Sequence, residues 1–340
     1  MPLGHISNKN TAAAKVSAAA GKSVAAEDFK RKTGDWARST FSQEDVDELK
    51  RQDLLVGMEY RIPGDEEIPK PPKGWRVIFF SFLFRGLSLP AHEFLRGLLF
   101  VYGLQLYHLT PNSLLHIAVF ITFCECYLGI YPHWGLWKTL YQVRGQSGDG
   151  GERYTIGGCG FSIRSSAKFL ENAGVDSIQN WRDKWFYVKD VPVEGQAENL
   201  AAFVDVKADN LSSWQNKLTR KEKLEVKKLM PRVEEAVSAL EQEYGFVRLV
   251  SIFIGRRLQP LQARSIPMWE YSGPSDASRV GRKDFETTED LEMAIKSIIK
   301  GKKSKKLPTP CSIAPFGSEN KLPEVFSRLV LAFPFDRSIL

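Results

Sequence analysis

The longest apolar stretch of the chain runs from His108 to Trp137 and contains one carboxylate, Glu125, and no lysine or arginine. Thr110 followed by Pro111 is typical of a helix N-terminus, because threonine caps the helix and proline suits its first position. Gly129 is typical of a left-handed stop. These signals predict a helix of about eighteen residues, close to the minimum length of a membrane span.

The polar residues of this helix distinguish a membrane span from a buried helix. At about 100° per residue, His116 and Glu125 fall on opposite faces, so no single polar side could be hidden against a partner. An ionised Glu in a lone span is costly, and no asymmetry of Lys and Arg brackets the segment. We therefore predict a helix buried all round inside a soluble core, with no membrane span.

Further helices are predicted on both sides of this one. Ser42 offers an N-cap followed by acidic residues. Pro90 suits the first position of a helix that Gly103 ends. A short amphipathic segment follows the central helix. The apolar anchors of the last two are Phe94, Leu95, Leu98, Leu99, Val101 and Tyr102, and then Trp134, Trp137, Leu140 and Tyr141.

Strand patterns are shorter. The aromatic segment that begins at Trp75 predicts a buried strand or a short buried helix. The glycine-rich stretch after Arg144 lacks the spacing of a phosphate-binding loop, so it predicts a hairpin or a flexible loop, with a short strand near 156–163. Alternation in 185–188 predicts a strand with Trp185 and Tyr187 on one side.

The second half is more polar. Residues 218–229 predict a basic helix, and Pro231 is expected to start a second, amphipathic one. The basic residues of the first helix are interspersed with Glu, which favours a solvated face over phosphate contact. The apolar segment 246–254 predicts a strand or a buried helix. The fold class is accordingly α+β and predominantly α-helical, a buried helical core with a few short strands or a hairpin.

The net charge of +7 is concentrated at one place. The stretch KSIIKGKKSKK, 296–306, holds six lysines and no acid, so the rest of the chain carries 7 − 6 = +1. Such a cluster suits nuclear import or a nucleic-acid-binding arm, and a solubilising linker explains it equally well. The lysines concerned are Lys300, Lys302, Lys303, Lys305 and Lys306.

The spacing of cysteines and histidines bears on disulfide bonding and metal binding. Cys124, Cys126, Cys159 and Cys311 have no disulfide framework spacing, which favours a reducing compartment. On a helix, Cys124 and Cys126 diverge by about 200°, and the chain has no C-x-x-C. We therefore predict core or cap roles for these residues. No metal ligand, cofactor, catalytic residue or small-molecule substrate is predicted.

Three motifs carry a resemblance to a known family. PNS at 111–113, CE-x-x-LGI-x-PHW-x-LW at 124–137 and W-x-x-K-W-F-Y at 181–187 occur in order. The chain resembles the plant family of gypsy-type transposon proteins (transposase, gypsy type) over roughly residues 34–285. The resemblance implies origin from a long-terminal-repeat retroelement and a nuclear or cytoplasmic location. It implies no reaction, because the family has no assigned catalytic or binding residues.

The chain divides into four regions on this basis. Residues 1–34 form an Ala/Lys-rich arm that is expected to be disordered, since Glu27, Asp28 and the scarcity of Arg argue against a transit peptide. Residues 35–190 form the transposon-like core domain. Residues 191–290 form a second helical and strand region that continues the family match, and residues 291–340 form a basic, low-order tail.

Enzyme motifs of retroelements are missing from the sequence. It contains no D-[ST]-G of an aspartic protease, no Y-x-D-D of a polymerase and no C-x-x-C-x4-H-x4-C knuckle. The favoured hypothesis is a nonenzymatic structural or interaction scaffold that binds a protein partner or itself. The alternatives are a nucleic-acid-binding module that uses the lysine-rich tail, and an inert relic truncated relative to the family.

Overall fold

The computed structural model describes residues 34–148, 151–170, 175, 177–190, 200–208, 217–241, 245–281 and 283–299. Residues 1–33 of the predicted arm (1–34) and the tail lysines from Lys300 onward lie outside these ranges. Within them the fold is α+β and mostly helical, as predicted, with eight α-helices and two small antiparallel sheets.

The elements follow one another in chain order. The helices are α1 (Gln43–Arg51), α2 (Phe80–Phe84), α3 (Glu93–Tyr102), α4 (Pro111–Cys126), α5 (Trp134–Leu140), α6 (Arg220–Glu241), α7 (Gly245–Gly255) and α8 (Thr288–Lys296). The strands are β1 (Tyr60–Arg61), β2 (Trp75–Phe79), β3 (Tyr141–Gly145), β4 (Cys159–Ile163) and β5 (Trp185–Lys189). Three short 3₁₀ turns cover Leu106–His108, Trp181–Asp183 and Met268–Glu270.

Helix α4 is the centre of the fold. The Thr110 hydroxyl accepts a hydrogen bond of 3.2 Å from the Ser113 N–H, and Pro111 occupies the first turn, as predicted. Every residue of α4 is buried except Asn112 and His116, which are partly buried. This confirms the prediction of a helix covered on all sides. No helix in the described part of the chain has the length and apolarity to span a membrane.

The neighbours of α4 are β4, α7, α2 and the turn Met268–Glu270. Aromatic rings fill the space around it. Trp137 stacks on Tyr141 with ring centres 4.2 Å apart, and Phe120 meets Trp137 edge-on at 5.2 Å. Each large side chain buried here contributes about 1.5–3 kcal/mol through the hydrophobic effect, so α4 and α5 are held mainly by aromatic packing.

The larger sheet has the order β1-β5-β2, with both pairings antiparallel. Phe79 pairs with Trp185 and Trp75 with Lys189. The predicted strand at 185–188 is confirmed as part of β5, which lies in the middle of the sheet. All four of these residues are buried, so both faces of the strand are covered. The segment beginning at Trp75 is a strand followed directly by a helix, β2 and then α2.

The glycine-rich stretch connects the two strands of the second sheet and supplies most of the second one. Strands β3 and β4 pair antiparallel from Tyr141 opposite Ile163 to Gly145 opposite Cys159. This confirms the predicted hairpin and the predicted strand near 156–163. The backbone N–H of Phe161 donates to the hydroxyl of Ser113 at 2.9 Å, which fixes β4 to the first turn of α4.

Helix α3 begins later than predicted. It starts at Glu93 rather than Pro90, because residues 90–92 pair with the distant segment 261–263 instead of entering the helix. The His92 N–H donates to the Leu261 carbonyl at 2.7 Å, and the Ala263 N–H donates to the Pro90 carbonyl at 2.8 Å. Gly103 ends the helix in the left-handed region, with φ of 62°. Val101, predicted on the apolar face, is 45% exposed.

Pro231 does not start a new helix. Helix α6 runs through it without interruption, from Arg220 to Glu241. Its buried stripe of Val226, Val233, Val237 and Leu240 continues across the proline. Because Pro231 is exposed, water can hydrate the carbonyl that its missing N–H leaves free. The apolar segment 246–254, for which a strand or a buried helix was predicted, belongs to helix α7.

Candidate functional site: the buried cluster around Glu125

The site residues predicted from sequence, Lys300, Lys302, Lys303, Lys305 and Lys306, lie outside the described residues, and so does Cys311. Among the described residues, the polar groups of α3, α4 and the loop 256–270 form the most elaborate buried cluster. It centres on Glu125, the one carboxylate of the long apolar stretch.

Glu125 lies near the end of α4, and its side chain is only 1% exposed. Arg264 Nη2 donates a hydrogen bond of 2.6 Å to Glu125 Oε2, and the Met268 N–H donates one of 2.7 Å to the same oxygen. His92 Nε2 lies 3.8 Å from Oε1. Burial alone would raise the pKa of Glu125, but His92, Arg264 and the Met268 N–H outweigh burial and hold the pKa below 4.5. The carboxylate is therefore ionised at neutral pH.

Arg264 is itself fixed by the backbone around it. Its Nη1 donates to the carbonyls of Pro260 at 3.0 Å and Gln262 at 3.3 Å. The same segment pairs with the chain just before α3, where Ala91 and Gln262 form an isolated antiparallel bridge. The cluster therefore joins three parts of the chain: the start of α3, the end of α4 and the loop that follows α7.

Two thiols border the cluster. Cys126 Sγ lies 3.8 Å from Met268 Sδ and 3.7 Å from Arg256 Nη1. Burial raises the pKa of Cys126 to about 12, even though Arg256 opposes this, and burial also raises the pKa of Cys124. Because the thiolate is the nucleophilic form, these thiols are poor nucleophiles at neutral pH.

Three histidines act in helix and turn capping. In each, Nδ1 accepts a hydrogen bond from a backbone N–H: His92 from Phe94 at 3.1 Å, His108 from Gln105 at 3.0 Å and His133 from Leu136 at 3.3 Å. The other ring nitrogen faces an acceptor, with His108 Nε2 2.8 Å from the Val206 carbonyl and His133 Nε2 3.4 Å from a Glu225 oxygen. With Nδ1 engaged by a backbone N–H, Nε2 is the nitrogen left to interact with these oxygens.

His116 lies on the other side of α4 from Glu125, as the helical spacing predicted. Its ring meets Tyr141 at 5.9 Å and Phe246 at 5.7 Å, both edge-on. Burial lowers the pKa of His116 to about 4. The imidazole is therefore neutral at physiological pH and packs as an aromatic ring.

The cysteines and histidines of this region are residue types that can ligate a metal ion. Among the described residues, no three His, Cys, Asp or Glu side chains lie close enough to hold a metal ion. Cys124 and Cys126 point away from each other on α4. The backbone of His133 forms a hydrogen bond with Cys124, whereas Cys126 contacts Arg256 and Met268. The clustering of these residue types in sequence therefore does not become a cluster in space.

A groove of about 550 Å³ lies apart from this cluster, between α1, α7 and α8. The Arg257 guanidinium stands over the Phe285 ring at 3.9 Å, and its Nη1 donates to the Gln52 carbonyl at 3.1 Å. The groove is lined by acidic and basic side chains together, among them Glu48, Arg51, Lys283 and Asp284. Its mixed charge indicates no single class of ligand.

Sequence reasoning missed the partners of Glu125. A lone carboxylate in an apolar stretch demands a buried cation, because burying an unpaired charge is costly. The arginine-rich segment RRLQPLQAR, 256–264, was therefore the available signal. Pattern alone could not select Arg264 from its three arginines.

One of the comparisons with known proteins gives a match. Residues 77–145 match the model of a family described as "Putative gypsy type transposon". The match runs from β2 to the end of β3 and includes Glu125 and the capping histidines, whereas Arg264 and Met268 lie beyond it. Comparison with curated proteins and with solved structures gives no match.

Proposed function

Because residues 77–145 form a domain of the gypsy-type transposon family, we propose that the protein is a nonenzymatic, retroelement-derived scaffold that works through contacts with a protein partner or with itself. The observation that carries the proposal is the use of the domain's reactive groups. The buried acid Glu125, the imidazoles and the helical thiols of this segment are occupied by caps, a buried ion pair and apolar contacts.

The chemistry of these groups supports the proposal. A general base must have a free nitrogen or oxygen directed at a substrate, but both nitrogens of His92, His108 and His133 face protein groups. A nucleophilic cysteine needs a lowered pKa, and burial raises the pKa of Cys126 and Cys159 to about 12. Glu125 is ionised but enclosed by Arg264 and Met268.

The experiment is a set of turnover assays on the purified full chain. The substrates are a duplex oligonucleotide for nuclease action, a pair of oligonucleotide ends for strand transfer and an unfolded protein for proteolysis. We expect no turnover with any of them. Turnover that copurifies with the chain and is lost in His133→Gln, while the variant stays folded, would overturn the proposal.

Self-association is the positive arm of the test. Sedimentation of the full chain across a hundredfold range of concentration should show an oligomer, or a mixture that shifts with concentration. A chain that is monomeric throughout and acts on none of the substrates would leave only a heterologous partner, and the self-association part of the proposal would fail.

The lysine-rich tail supports a second candidate function. Lys300, Lys302, Lys303, Lys305 and Lys306 form a cluster without acidic residues, which suits nucleic-acid binding or nuclear import. Accordingly, we propose a nuclear or cytoplasmic location. A fluorescent fusion that is excluded from the nucleus, both with the native tail and with these lysines changed to Gln, would argue against import.

A further inference from the structure

The first half of α6 and the residues before it carry a strong positive charge. From Lys217 to Lys228 the sequence KLTRKEKLEVKK contains six basic and two acidic residues. All six cations are exposed. Lys221 lies 3.9 Å from Glu225, and the four α6 cations without such a neighbour, Arg220, Lys223, Lys227 and Lys228, are called the basic face of α6. The two acidic residues of the stretch, Glu222 and Glu225, would neutralise part of this face if they paired with it.

Both glutamates are turned towards the protein. Glu222 Oε2 accepts from the Thr219 N–H at 2.7 Å while the Glu222 N–H donates to the Thr219 hydroxyl at 3.2 Å, which forms a capping box. Glu222 Oε1 also accepts from Lys138 of α5 at 2.7 Å, and both side chains are less than 20% exposed. Glu225 is 41% exposed and lies 3.4 Å from His133 and 3.9 Å from Lys221. Glu222 is therefore directed at α5, and Glu225 lies between His133 and Lys221 rather than beside the four cations of the basic face.

Helical geometry gathers the remaining cations. At about 100° per residue, the basic face occupies a sector of about 140°, opposite the buried Val226 and Val233. From Arg220 to Lys228 it extends about 12 Å at 1.5 Å per residue. One strand of a nucleic-acid duplex presents a phosphate about every 3.4 Å along its axis, so the face spans three to four phosphates.

The stability of α6 does not account for this arrangement. Cations near a helix N-terminus oppose the helix dipole, and like charges at positions i and i+4, such as Lys223 and Lys227, repel each other. Within the described ranges, no carboxylate forms an ion pair with any of the four cations of the basic face. No described carboxylate therefore competes with an external anion for these four charges.

A nucleic acid fits this face better than a membrane does. A helix that lies on a bilayer inserts a broad apolar face, but the apolar stripe of α6 is buried, and α5 and α7 are its neighbours. Leu224, 59% exposed, is the large apolar side chain that accompanies the cations. We infer that the basic face of α6 binds the phosphate backbone of a nucleic acid, a site separate from the lysine-rich tail and independent of the proposed scaffold function.

The test uses the full chain in four forms. The first is the native sequence, and the second carries Arg220→Gln, Lys223→Gln, Lys227→Gln and Lys228→Gln. The matched control changes four exposed cations elsewhere, Lys70, Lys73, Arg144 and Lys283, to Gln. The last changes the five tail lysines to Gln. Each is titrated with a 30-base-pair duplex DNA, a 30-nucleotide RNA and phosphatidylserine vesicles between 50 and 200 mM salt.

We expect the native chain and the matched control to bind nucleic acid alike. The α6 variant should bind at least tenfold more weakly, and the slope of log K against log salt should fall by at least about 2, because each lost phosphate contact removes about 0.9. The tail variant should keep the contribution of α6. Circular dichroism should show unchanged helicity, since Gln is a good helix former.

The inference is overturned by any of three results. These are a native chain that binds neither nucleic acid, an α6 variant that binds with native affinity and salt slope, and a native chain that binds vesicles but not oligonucleotides. None of these results bears on the turnover assays, so the scaffold proposal is tested separately.

Discussion

Arg264 donates a hydrogen bond of 2.6 Å to Glu125, a residue that precedes it by 139 positions. Their side chains are 6% and 1% exposed. Removing two charges from water is costly, and the cost is offset only when geometry and further hydrogen bonds are good. Here the Met268 N–H donates a further hydrogen bond to the carboxylate. The pair therefore fastens the loop after α7 to the segment 77–145 that matches the family model.

Acid should destabilise the protein through His116. Burial lowers the pKa of His116 from 6.5 to about 4 in the folded chain. The unfolded chain therefore binds the proton more readily, so the stabilising contribution is full above pH 6.5 and is lost as the pH falls towards 4. The loss is up to about 3 kcal/mol. Urea unfolding of native protein and His116→Phe at pH 7 and pH 4.5 measures it.

Glu125 also contributes to acid sensitivity, but it is present in both proteins, so the difference between them isolates His116. We expect the native protein to lose more stability than His116→Phe over this interval. Equal losses in the two proteins would mean that the imidazole is protonated without cost in the folded chain.

The buried thiols should resist alkylation. Burial raises the pKa of Cys126 and Cys159 to about 12 and that of Cys124 further. In a Cys311→Ser background, these three should react with iodoacetamide at pH 8 only after unfolding in urea, since both burial and the lack of thiolate protect them. Mass spectrometry of tryptic peptides identifies each site. Rapid native labelling of Cys126 would contradict its position beside Met268.

The cap of α4 should be worth a measurable free energy. The Thr110 hydroxyl accepts from the Ser113 N–H at 3.2 Å. Thr110→Ala should lower the free energy of unfolding by about 1 kcal/mol, whereas Thr110→Ser, which keeps the hydroxyl, should lower it much less. Urea midpoints compare the two variants. Equal effects would show that the methyl group, not the cap, matters.

Local signals in the sequence were sufficient for the central element. Thr110 and Pro111 start α4, and the opposite placement of His116 and Glu125 follows from helical spacing alone. The strand at 185–188 and the glycine-rich hairpin were also predictable, because alternation and turn composition are properties of a few adjacent residues.

Long-range contacts decided the rest. Pro90 looks like a helix start, but its carbonyl accepts from Ala263 and the helix begins later. Pro231 looks like a break, but the buried stripe of α6 continues past it. For the same reason the candidate site could be predicted only in part: Glu125 is conspicuous in sequence, whereas its pairing with Arg264 exists only once the chain is folded.

The central claim is that Glu125 serves the fold rather than a reaction. A double-mutant cycle with Glu125→Met, Arg264→Met and the double variant, followed by urea unfolding at pH 7, tests it most directly. Each single change leaves a buried charge unpaired and should lower the free energy of unfolding by about 3–5 kcal/mol. The double variant should lose clearly less than the sum. Native stability in Glu125→Met, or losses that simply add, would contradict the account.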